Sequence, residues 1–356
     1  MKKIHFAIIG CGRIAPKHAE SIQQIEEAEL VAVCDIIEEK AQTFARRYQA
    51  DFYVDYLQML ERNDIDIVNI CTPSGLHAKI GIAAAKAGKH VIVEKPMSMY
   101  LKEADELIKA CREAGVKLAV CHQNRFNKSV RQLRQALEEG KFGRLTHGNA
   151  TIRWNRNDDY YKQATWRGTW KDDGGVLMNQ SIHNIDLLQW MLGPVDSIFA
   201  YTARNLRKIE AEDVAVAVLK FTNGALGGIE ASSTIYPKNL EETLNIFGEK
   251  GTACIGGIAV NKIEGWRFKE NFEEEEKAII TAQEADPPNV YGFGHQELIL
   301  DMIGAIRENR EPMINGEEGR KALETILGIY KSVATGQPVK LPLEKNFILT
   351  EVFGNE

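Results

Sequence analysis

The sequence of 356 residues is long enough for about two domains, which excludes a mini-protein and a large modular assembly. Its 44% hydrophobic and 26% charged residues are typical of globular proteins and exclude disordered and collagen-like chains. The 50 acidic and 44 basic residues leave a net charge of −6 without an extended basic stripe, which argues against a nucleic-acid partner.

Neither a membrane span nor a signal peptide is predicted. No apolar stretch approaches the ~18 residues that suggest a span, and the first residues run directly into a predicted strand. We therefore expect a soluble, cytoplasmic protein without a membrane partner.

The cysteine pattern predicts neither disulfides nor a metal site. The sequence has 6 cysteines without a CxxC pair, and several of them lie at the ends of apolar runs. We interpret them as small buried hydrophobic residues in a reducing compartment. Zinc ligands would cluster at short spacing, so no bound metal is expected. The cysteines are Cys11, Cys34, Cys71, Cys111, Cys121 and Cys254.

Residues 1–124 predict a dinucleotide-binding Rossmann domain, because short branched apolar runs alternate with stretches of helical spacing. This is the pattern of a doubly wound parallel sheet, whose ligands bind at the carboxyl ends of the strands. The predicted strands are Ile4–Ile9, Leu30–Cys34, Ile67–Ile70, His90–Val93 and Lys117–Val120. The predicted helices are Arg13–Ile25, Glu38–Tyr48, Leu76–Ala87 and Leu101–Ala114.

Residues 125–356 predict an α+β domain with a large, mostly antiparallel open sheet, for substrate binding and oligomerisation. Longer alternating segments separated by turn signals replace the earlier pattern. The predicted strands are Leu145–Trp154, Val195–Arg204, Asp213–Phe221, Leu226–Ser233, Glu242–Gly248 and Thr252–Ile255. The predicted helices are Lys128–Glu139, Ile182–Leu192, Gly294–Arg307 and Gly319–Ser332.

A glycine motif follows the first predicted strand. The residues from Gly10 to Ala15 fit G-x-G-x-x-G/A at the start of a helix. Gly10 permits the tight turn, Gly12 lets the backbone approach a pyrophosphate, and Arg13 and Ile14 lead into the helix N-terminus that favours phosphate. Such a turn can also be purely structural, but a strand before it and a helix after it favour dinucleotide binding.

Asp35 ends the second predicted strand, where an acid accepts hydrogen bonds from the adenine ribose. A carboxylate here also repels a 2′-phosphate, which favours NAD over NADP. The alternative is that Asp35 only caps the next helix, and Ser74 has the same alternative. The further residues that we predict to contact NAD are Thr72, Pro73, Ser74, His77, Glu94, Lys95, Gln123, Trp166 and Arg167.

Lys95 follows the strand His90–Val93 and is a predicted catalytic residue. A lysine at the carboxyl edge of the sheet could hydrogen-bond a reacting oxygen and stabilise developing alkoxide charge. Most lysines are ordinary surface charges, but few lie at a strand end in a predicted ligand crevice.

Asn179 and His183 stand near the start of a later apolar helix, at a spacing that places both on one face. Imidazole titrates near neutral pH, so His183 is the second predicted catalytic residue, accepting a proton from a substrate hydroxyl. A helix histidine is more often a packed core residue, which is the alternative.

Together, the GCGRIA, EKP and GGVLMNQSIHNIDLL segments resemble the glucose-fructose oxidoreductase, inositol dehydrogenase and MocA family of NAD(P)-dependent sugar dehydrogenases. The resemblance implies that Lys95 is the catalytic lysine, with a Lys-Pro peptide that is often cis. It also implies an acid and a histidine in a D-x-x-x-H motif. This chain has Asn179 in place of the acid, and an amide cannot take up a proton. Proton transfer then falls to His183 or Lys95.

Further segments resemble the WlbA-type branch of this family. They are YYKQATWRGTW, MNQ, IEAED, YPKNLE and YGFGH. The resemblance implies oxidation of C3 of UDP-N-acetylglucosaminuronate in bacterial surface polysaccharide biosynthesis. It further implies that bound NADH is reoxidised by 2-oxoglutarate.

A nucleotide sugar acid carries a diphosphate and a carboxylate, which suit arginine and lysine. The cationic candidates are Arg153, Arg156, Arg167 and Lys238, each with a surface charge as the alternative. Tyr160 and Tyr236 are candidate uracil or sugar contacts, with packing as the alternative. Lys95, Asn179 and His183 complete the predicted substrate contacts.

Two other functions stay open on the sequence. The first is a dehydrogenase of the same family that acts on a free sugar, inositol or an aminosugar. The second is a non-catalytic NAD-binding sensor, since a fold does not dictate function. The resemblance also implies a homodimer or homotetramer, without choosing between them, and leaves the sugar and the direction of flux open.

Overall fold

The structure is a computed structural model and describes residues 3–268, 272–281, 292, 294–344 and 346–354. The chain forms two compact units, residues 1–123 with 295–320 and residues 124–294 with 321–356. The sequence assigned all of 125–356 to the second domain. In the structure, residues 295–320 belong to the first unit. The prediction divided the chain at one point only and therefore missed this.

The first unit contains a fully parallel sheet. Its strands are β1 (Ile4–Ile9), β2 (Ala28–Cys34), β3 (Asp51–Tyr53), β4 (Ile67–Ile70), β5 (His90–Val93) and β6 (Leu118–Val120). The strand order is β3-β2-β1-β4-β5-β6, which is the dinucleotide-binding arrangement. All four residues of β4 are buried, as expected for a sheet covered on both faces. The predicted doubly wound sheet is confirmed, and β3 is a strand that the sequence did not predict.

Helices connect these parallel strands. They are α1 (Ala15–Gln23), α2 (Glu38–Tyr48), α3 (Tyr56–Leu60), α4 (His77–Lys86) and α5 (Leu101–Glu113). Each of the longer ones buries an apolar face, for example through Ala104, Leu107 and Cys111 of α5. The carboxyl ends of β1, β2, β4 and β5 thereby share one edge of the sheet.

The second unit contains an eight-stranded sheet. Its first elements are α6 (Lys128–Glu138), β7 (Leu145–Arg153), α7 (Asp158–Lys162), α8 (Ile182–Leu192), β8 (Val195–Ala203), β9 (Val214–Phe221) and β10 (Leu226–Ser232). They are followed by β11 (Glu241–Gly248), β12 (Gly251–Gly256), β13 (Lys262–Phe268), α9 (Phe272–Thr281), α10 (Gly294–Glu308), α11 (Gly316–Thr335), β14 (Val339–Lys340) and α12 (Leu349–Val352). Helix α10 belongs to the first unit from His295 onward, and α11 begins there and continues in the second.

The order of this sheet is β13-β12-β11-β7-β10-β9-β8-β14, antiparallel except between β7 and β10. The predicted mostly antiparallel sheet is therefore confirmed. Helix α8 packs on β7 and β11. Strand β9 alternates strictly, burying Ala215, Ala217 and Leu219 and exposing Val216 and Val218. One face of the sheet is thus core, and the other is open along β9.

The cysteines agree with their interpretation as reduced residues. All six are free, with Cys11 and Cys254 partly exposed and the other four buried. Burial raises the pKa of the Cys71 and Cys121 thiols well above the ordinary value, which keeps them protonated. Among the described residues, no helix has both the length and the apolar composition needed to cross a bilayer.

Candidate active site

The glycine turn lies where β1 ends, against the end of β4. Gly10 has a φ of +95°, and a Cβ atom there would lie 2.7 Å from the carbonyl carbon of Cys71. No other residue fits this turn without displacing the backbone. A Cβ atom on Gly12 would have no neighbour within 4 Å, so the backbone of this residue is open to a ligand.

The start of α1 can accept an anion. No side chain caps the helix at Ile14, and Gly12 and Arg13 before it are exposed. Uncapped N–H groups at a helix N-terminus bind phosphate through hydrogen bonds and the helix dipole. The turn that the sequence predicted for a pyrophosphate therefore has the required backbone.

Asp35 ties the glycine turn to the end of β2. Its two carboxylate oxygens accept hydrogen bonds from Cys11 N and Ile37 N, each at 2.9 Å. Helix α2 has Ile37 at its N-cap position, so Asp35 holds the start of this helix but, through Cys11 N, holds the glycine turn as well. The half-buried carboxylate keeps accepting capacity for further donors, because each oxygen has two lone pairs.

The segment after β4 carries the next group of residues that the sequence predicted to contact NAD. Ser74 opens a 3-10 turn over Ser74–Leu76, and α4 starts behind it without a side-chain cap, so the capping alternative for Ser74 is wrong. Pro73 is half-buried. His77 is buried with Nδ1 2.7 Å from Pro96 O and Nε2 2.8 Å from Thr72 O. Burial lowers the pKa of His77, and because a neutral ring has one N–H, it donates to only one of these two carbonyl oxygens.

Glu94 and Lys95 follow β5. The Glu94 side chain is buried, and its Oε1 lies 2.9 Å from His18 Nε2. Burial alone would raise the pKa of Glu94, but the hydrogen bond with His18 and the nearby His295 outweigh burial and hold the pKa well below its ordinary value. Lys95 is half-buried, donates its N–H to Glu94 Oε2 at 3.1 Å, and is joined to Pro96 by a cis peptide. The cis bond agrees with the family resemblance.

Two buried oxygens in this unit fit a bound dinucleotide. Thr72 Oγ1 and Gln123 Oε1 have no hydrogen-bond partner among the described residues. Buried polar atoms are usually paired, so unpaired ones at the carboxyl ends of β4 and β6 suit a polar ligand. With the open backbone of Gly12, they show that the residues present fit NAD.

In the second unit, Tyr160 joins two of the predicted arginines. The guanidinium carbons of Arg167 and Arg156 lie 4.4 and 5.2 Å from the centre of the Tyr160 ring. Tyr160 Oη accepts hydrogen bonds from Arg167 at 2.6 Å and from Gln180 Nε2 at 3.3 Å. Arg167 also lies over the Trp166 ring, at 4.7 Å. We call Arg156, Tyr160 and Arg167 the arginine cluster.

Asn179 connects to this cluster through Gln180. Its Oδ1 accepts from Gln180 Nε2 at 3.0 Å, and its amide donates to the buried carboxylate of Asp173, which also accepts from Gly168 N at 2.6 Å. The segment Leu177–Ser181 is a π-helix. The prediction that Asn179 and His183 stack on one face assumed an α-helix. The wider π turn changes that offset, and such turns often mark functional sites.

His183 lies in the first turn of α8 and is 9% exposed.

The sequence analysis missed the ion pair that anchors helix α8. Arg125 forms a bidentate pair with Asp186, at 2.6 and 2.7 Å, and both side chains are buried. A charge three residues after His183 on an otherwise apolar helix could have signalled a buried partner.

The remaining candidates do not join the arginine cluster. Arg153 pairs with Glu230 and Glu241, so its charge is already balanced. Tyr236 is 91% exposed, which rules out packing, and Lys238 is exposed. Instead, Asn239 from the same loop accepts from Arg156 at 3.2 Å and from Asn155 N at 3.0 Å. The sequence did not single out Asn239.

A buried acid supports the π-helix from behind. Glu212 accepts from Leu177 N at 2.9 Å and from the Tyr330 hydroxyl at 2.9 and 3.0 Å. Burial raises the pKa of Glu212 to about 7, despite these donors. No feature of the local sequence predicts this, because Tyr330 lies 118 residues further along the chain.

Family comparisons agree with this arrangement. The sequence model for the NAD-binding Rossmann fold of the Gfo/Idh/MocA oxidoreductase family matches residues 4–122. The model for the Gfo/Idh/MocA C-terminal domain matches residues 130–254. An uncharacterised oxidoreductase, YrbE of Bacillus subtilis, is 30% identical over 96% of this chain and 97% of its own. Myo-inositol 2-dehydrogenase of Thermotoga maritima is 27% identical over 95% and 98%.

Two solved structures are more similar still. The WlbA dehydrogenase of Bordetella pertussis, in complex with NADH and UDP-GlcNAcA, is 40% identical with a TM-score of 0.88 over 96% of this chain and 100% of that one. The WlbA dehydrogenase of Chromobacterium violaceum, with the same ligands, is 40% identical with a TM-score of 0.89 over 97% and 98%. The chain is therefore an NAD-dependent oxidoreductase of the Gfo/Idh/MocA family.

Proposed function

We propose that this enzyme oxidises the C3 hydroxyl of UDP-N-acetylglucosaminuronate, as a step in bacterial surface polysaccharide biosynthesis. The observation that carries the proposal is the arginine cluster, in which two guanidinium groups lie against one tyrosine ring. Arginine binds carboxylate and diphosphate in bidentate fashion, and an aromatic ring provides a stacking surface for a base or sugar.

The comparisons support this substrate over a free polyol. Both WlbA dehydrogenases were solved with UDP-GlcNAcA and are 40% identical to this chain. The myo-inositol dehydrogenase of Thermotoga maritima is 27% identical. Membership of an oxidoreductase family also argues against the sensor that the sequence left open.

For NAD, we propose that the glycine turn and the start of α1 hold the pyrophosphate and that Asp35 accepts from the adenine ribose. Thr72 and Gln123 offer buried oxygens to the remaining polar groups. Bound NAD supplies the hydride acceptor of the reaction. Glu94 and His77 face protein groups, so we expect them to act through the backbone rather than by direct contact.

Oxidation removes a hydride from C3 and a proton from its hydroxyl, leaving a carbonyl group. We propose that His183 accepts the proton and that the Lys95 ammonium hydrogen-bonds the oxygen as negative charge develops. Asn179 binds a neighbouring hydroxyl, since an amide cannot take the proton. Its amide is already oriented by Asp173 and Gln180.

The test combines the purified protein with UDP-N-acetylglucosaminuronate and 2-oxoglutarate, which we propose as the acceptor that regenerates NAD. We expect a 3-keto nucleotide sugar and 2-hydroxyglutarate in equal amounts. Myo-inositol, free glucuronate and N-acetylglucosamine are offered in parallel. Turnover of one of these without turnover of the nucleotide sugar would select the free-sugar function and refute the proposal.

Arg167→Ala tests the substrate contact. We expect KM for the nucleotide sugar to rise about 10- to 100-fold, the range for a lost hydrogen bond to a charged group. Lys162→Ala is the matched control, because it removes an exposed cation from α7 that pairs only with Asp159 in the described structure. An equal effect of both variants would argue against a specific role for Arg167.

We also propose a homodimer or homotetramer that assembles through the open face of the eight-stranded sheet. Tyr201, Val216 and Val218 are 72%, 52% and 58% exposed on this face, and such apolar surface is typical of an interface. Val216→Glu combined with Val218→Glu should reduce the mass measured by light scattering. An unchanged mass would place the interface elsewhere.

A further inference from the structure

Three buried side chains from separate elements of the first unit meet behind Lys95. His18 comes from α1, Glu94 from the end of β5 and His295 from α10, and their exposures are 1%, 7% and 1%. Glu94 Oε1 lies 2.9 Å from His18 Nε2 and 3.8 Å from His295 Nε2. The two imidazole rings meet edge to face at 5.3 Å. We call these residues the buried triad.

A fourth residue fixes the direction of the network. The amide nitrogen of Asn69, on β4, lies 2.8 Å from His18 Nδ1. An amide NH₂ donates, so Nδ1 accepts and the ring proton lies on Nε2, pointing at Glu94. Asn69 is itself fully buried, and because the Glu94 carboxylate can only accept, a proton on Nε2 also suits the other side of the ring.

Glu94 is the end of this network that meets Lys95. One carboxylate oxygen faces His18 and His295, and the other accepts the Lys95 N–H at 3.1 Å. The acid is therefore a negative charge fixed by the triad next to the residue that carries the ammonium group. A carboxylate satisfied in this way holds its neighbours more firmly than a neutral group does.

We propose that Glu94 is a positioning residue for Lys95, held in place by His18 and His295, and that it sets kcat without binding substrate. Its action is to fix the Lys95 backbone and to keep a negative charge beside it, so that the ammonium is already oriented when the hydroxyl oxygen becomes negative. The proposal rests on the catalytic role proposed above for Lys95.

The triad also has the donors of a zinc site, since its ligand atoms lie within 4.8 Å of one another. The shortest distance decides against this use. Ligand atoms around tetrahedral zinc lie about 3.3 Å apart, given Zn–N distances of about 2.0 to 2.1 Å. The 2.9 Å between His18 Nε2 and Glu94 Oε1 is an ordinary hydrogen-bond distance. Because Asn69 donates to Nδ1, the ring proton lies on Nε2, which is the atom that would bind the metal.

The first test needs no substrate. Wild-type protein labelled with nitrogen-15 histidine is compared by NMR with His18→Gln, which identifies the His18 signals. We expect the His18 proton on Nε2 near neutral pH. A proton only on Nδ1 would overturn the proposal. Zinc that co-purifies in stoichiometric amount with the wild type and is lost in Glu94→Gln would overturn it in favour of a metal site.

The second test separates positioning from packing. Gln offers an amide nitrogen at the place of Nε2, whereas Asn offers one only at the place of Nδ1. We expect His18→Gln to keep kcat within about fivefold of wild type, and His18→Asn and Glu94→Gln to lose about 10- to 100-fold. KM values and NAD affinity should change less than about threefold. His5→Gln, at the start of β1, is the matched control.

These outcomes also distinguish this proposal from the proposed function. If Lys95→Met keeps its turnover, the role of Lys95 fails. If Lys95→Met abolishes turnover while His18→Asn and Glu94→Gln keep the wild-type kcat, only the positioning role fails. A loss in His18→Gln as large as in His18→Asn would reduce the triad to packing. His18→Asn retains the carboxylate and replaces Glu94→Gln if that variant does not fold.

Discussion

A buried glutamate lies behind candidate site residues in each unit of this enzyme, Glu94 in the first and Glu212 in the second, and the two behave in opposite ways. Burial raises the pKa of Glu94 and of Glu212 alike. In Glu94, the hydrogen bond with His18 and the nearby His295 reverse the shift and hold the pKa well below its ordinary value. In Glu212, burial prevails and the pKa rises to about 7, although a backbone N–H and the Tyr330 hydroxyl donate to it.

The difference shows that burial alone does not decide the charge of an acid. The number and the kind of donors decide it, because imidazole can share or carry a proton whereas a backbone amide cannot. Glu94 is therefore a constant anion beside Lys95. Glu212 changes its charge near neutral pH beneath the π-helix that carries Asn179.

The largest expected effect concerns the residues that the two acids support. Lys95→Met should lower kcat about 10³-fold, because it removes the cation that stabilises developing alkoxide charge. Asn179→Ala should cost about 10-fold, mostly in KM, since it removes one neutral hydrogen bond. Steady-state formation of 2-hydroxyglutarate in the presence of 2-oxoglutarate measures both. Similar losses of activity in the two variants would show that the charged Lys95 and the neutral Asn179 contribute equally, against this prediction.

The next effect compares the acids directly through the same substitution. Glu94→Gln should lower the free energy of unfolding by about 2 to 3 kcal/mol, because its NH₂ group must face the donor of Lys95 or of His18. Glu212→Gln should change it by about 0.5 kcal/mol or less at about pH 8, because the Tyr330 hydroxyl can reverse its role and accept. Urea unfolding at fixed pH measures the difference. Equal losses of unfolding free energy in the two variants would contradict the opposite pKa shifts of Glu94 and Glu212.

The pH dependence of stability gives a smaller effect. The folded pKa of Glu212, about 7, lies above its unfolded value, so the folded state binds the proton more tightly between these values. Stability from this group is therefore lost as pH rises through 7. From about pH 6 to about pH 8 the wild type should lose about 1 kcal/mol relative to Glu212→Gln. A constant difference between the two proteins over this range would show that Glu212 does not titrate there.

The fold was predictable because its signals are local. Branched apolar runs that alternate with amphipathic helices indicated the parallel sheet, and the glycine motif located its ligand edge. Two kinds of element escaped prediction. Strand β3 is only three residues long, two of them exposed, so it lacks an apolar run. Residues 295–320 look like any other helical segment, and only tertiary packing assigns them to the first unit.

The candidate site was predictable only in part. Arg156, Tyr160 and Arg167 could be proposed from residue type and segment, and the structure brings them together. Their partners could not be found in this way, because Asn239 lies 83 residues from Arg156. The π-helix also escaped, since its sequence has ordinary α-helical spacing. Tyr291 and Phe293, in a segment of the family resemblance, lie outside the described residues.

The smallest expected effect concerns the hydroxyl donor that keeps the pKa of Glu212 from rising further. Tyr330→Phe removes the hydroxyl that lowers the pKa of this acid, so the folded pKa should move above 7. The loss of stability from about pH 6 to about pH 8 should then grow by about 0.5 kcal/mol. Tyr48→Phe is the control, because that hydroxyl contacts the exposed acid Glu20 in the first unit. If Tyr330→Phe leaves the pH dependence unchanged, the hydroxyl does not tune the acid. Burial and the Leu177 N–H would then account for the pKa of about 7 without a side-chain donor. The difference in pKa between Glu212 and Glu94 would then rest on the two histidines alone.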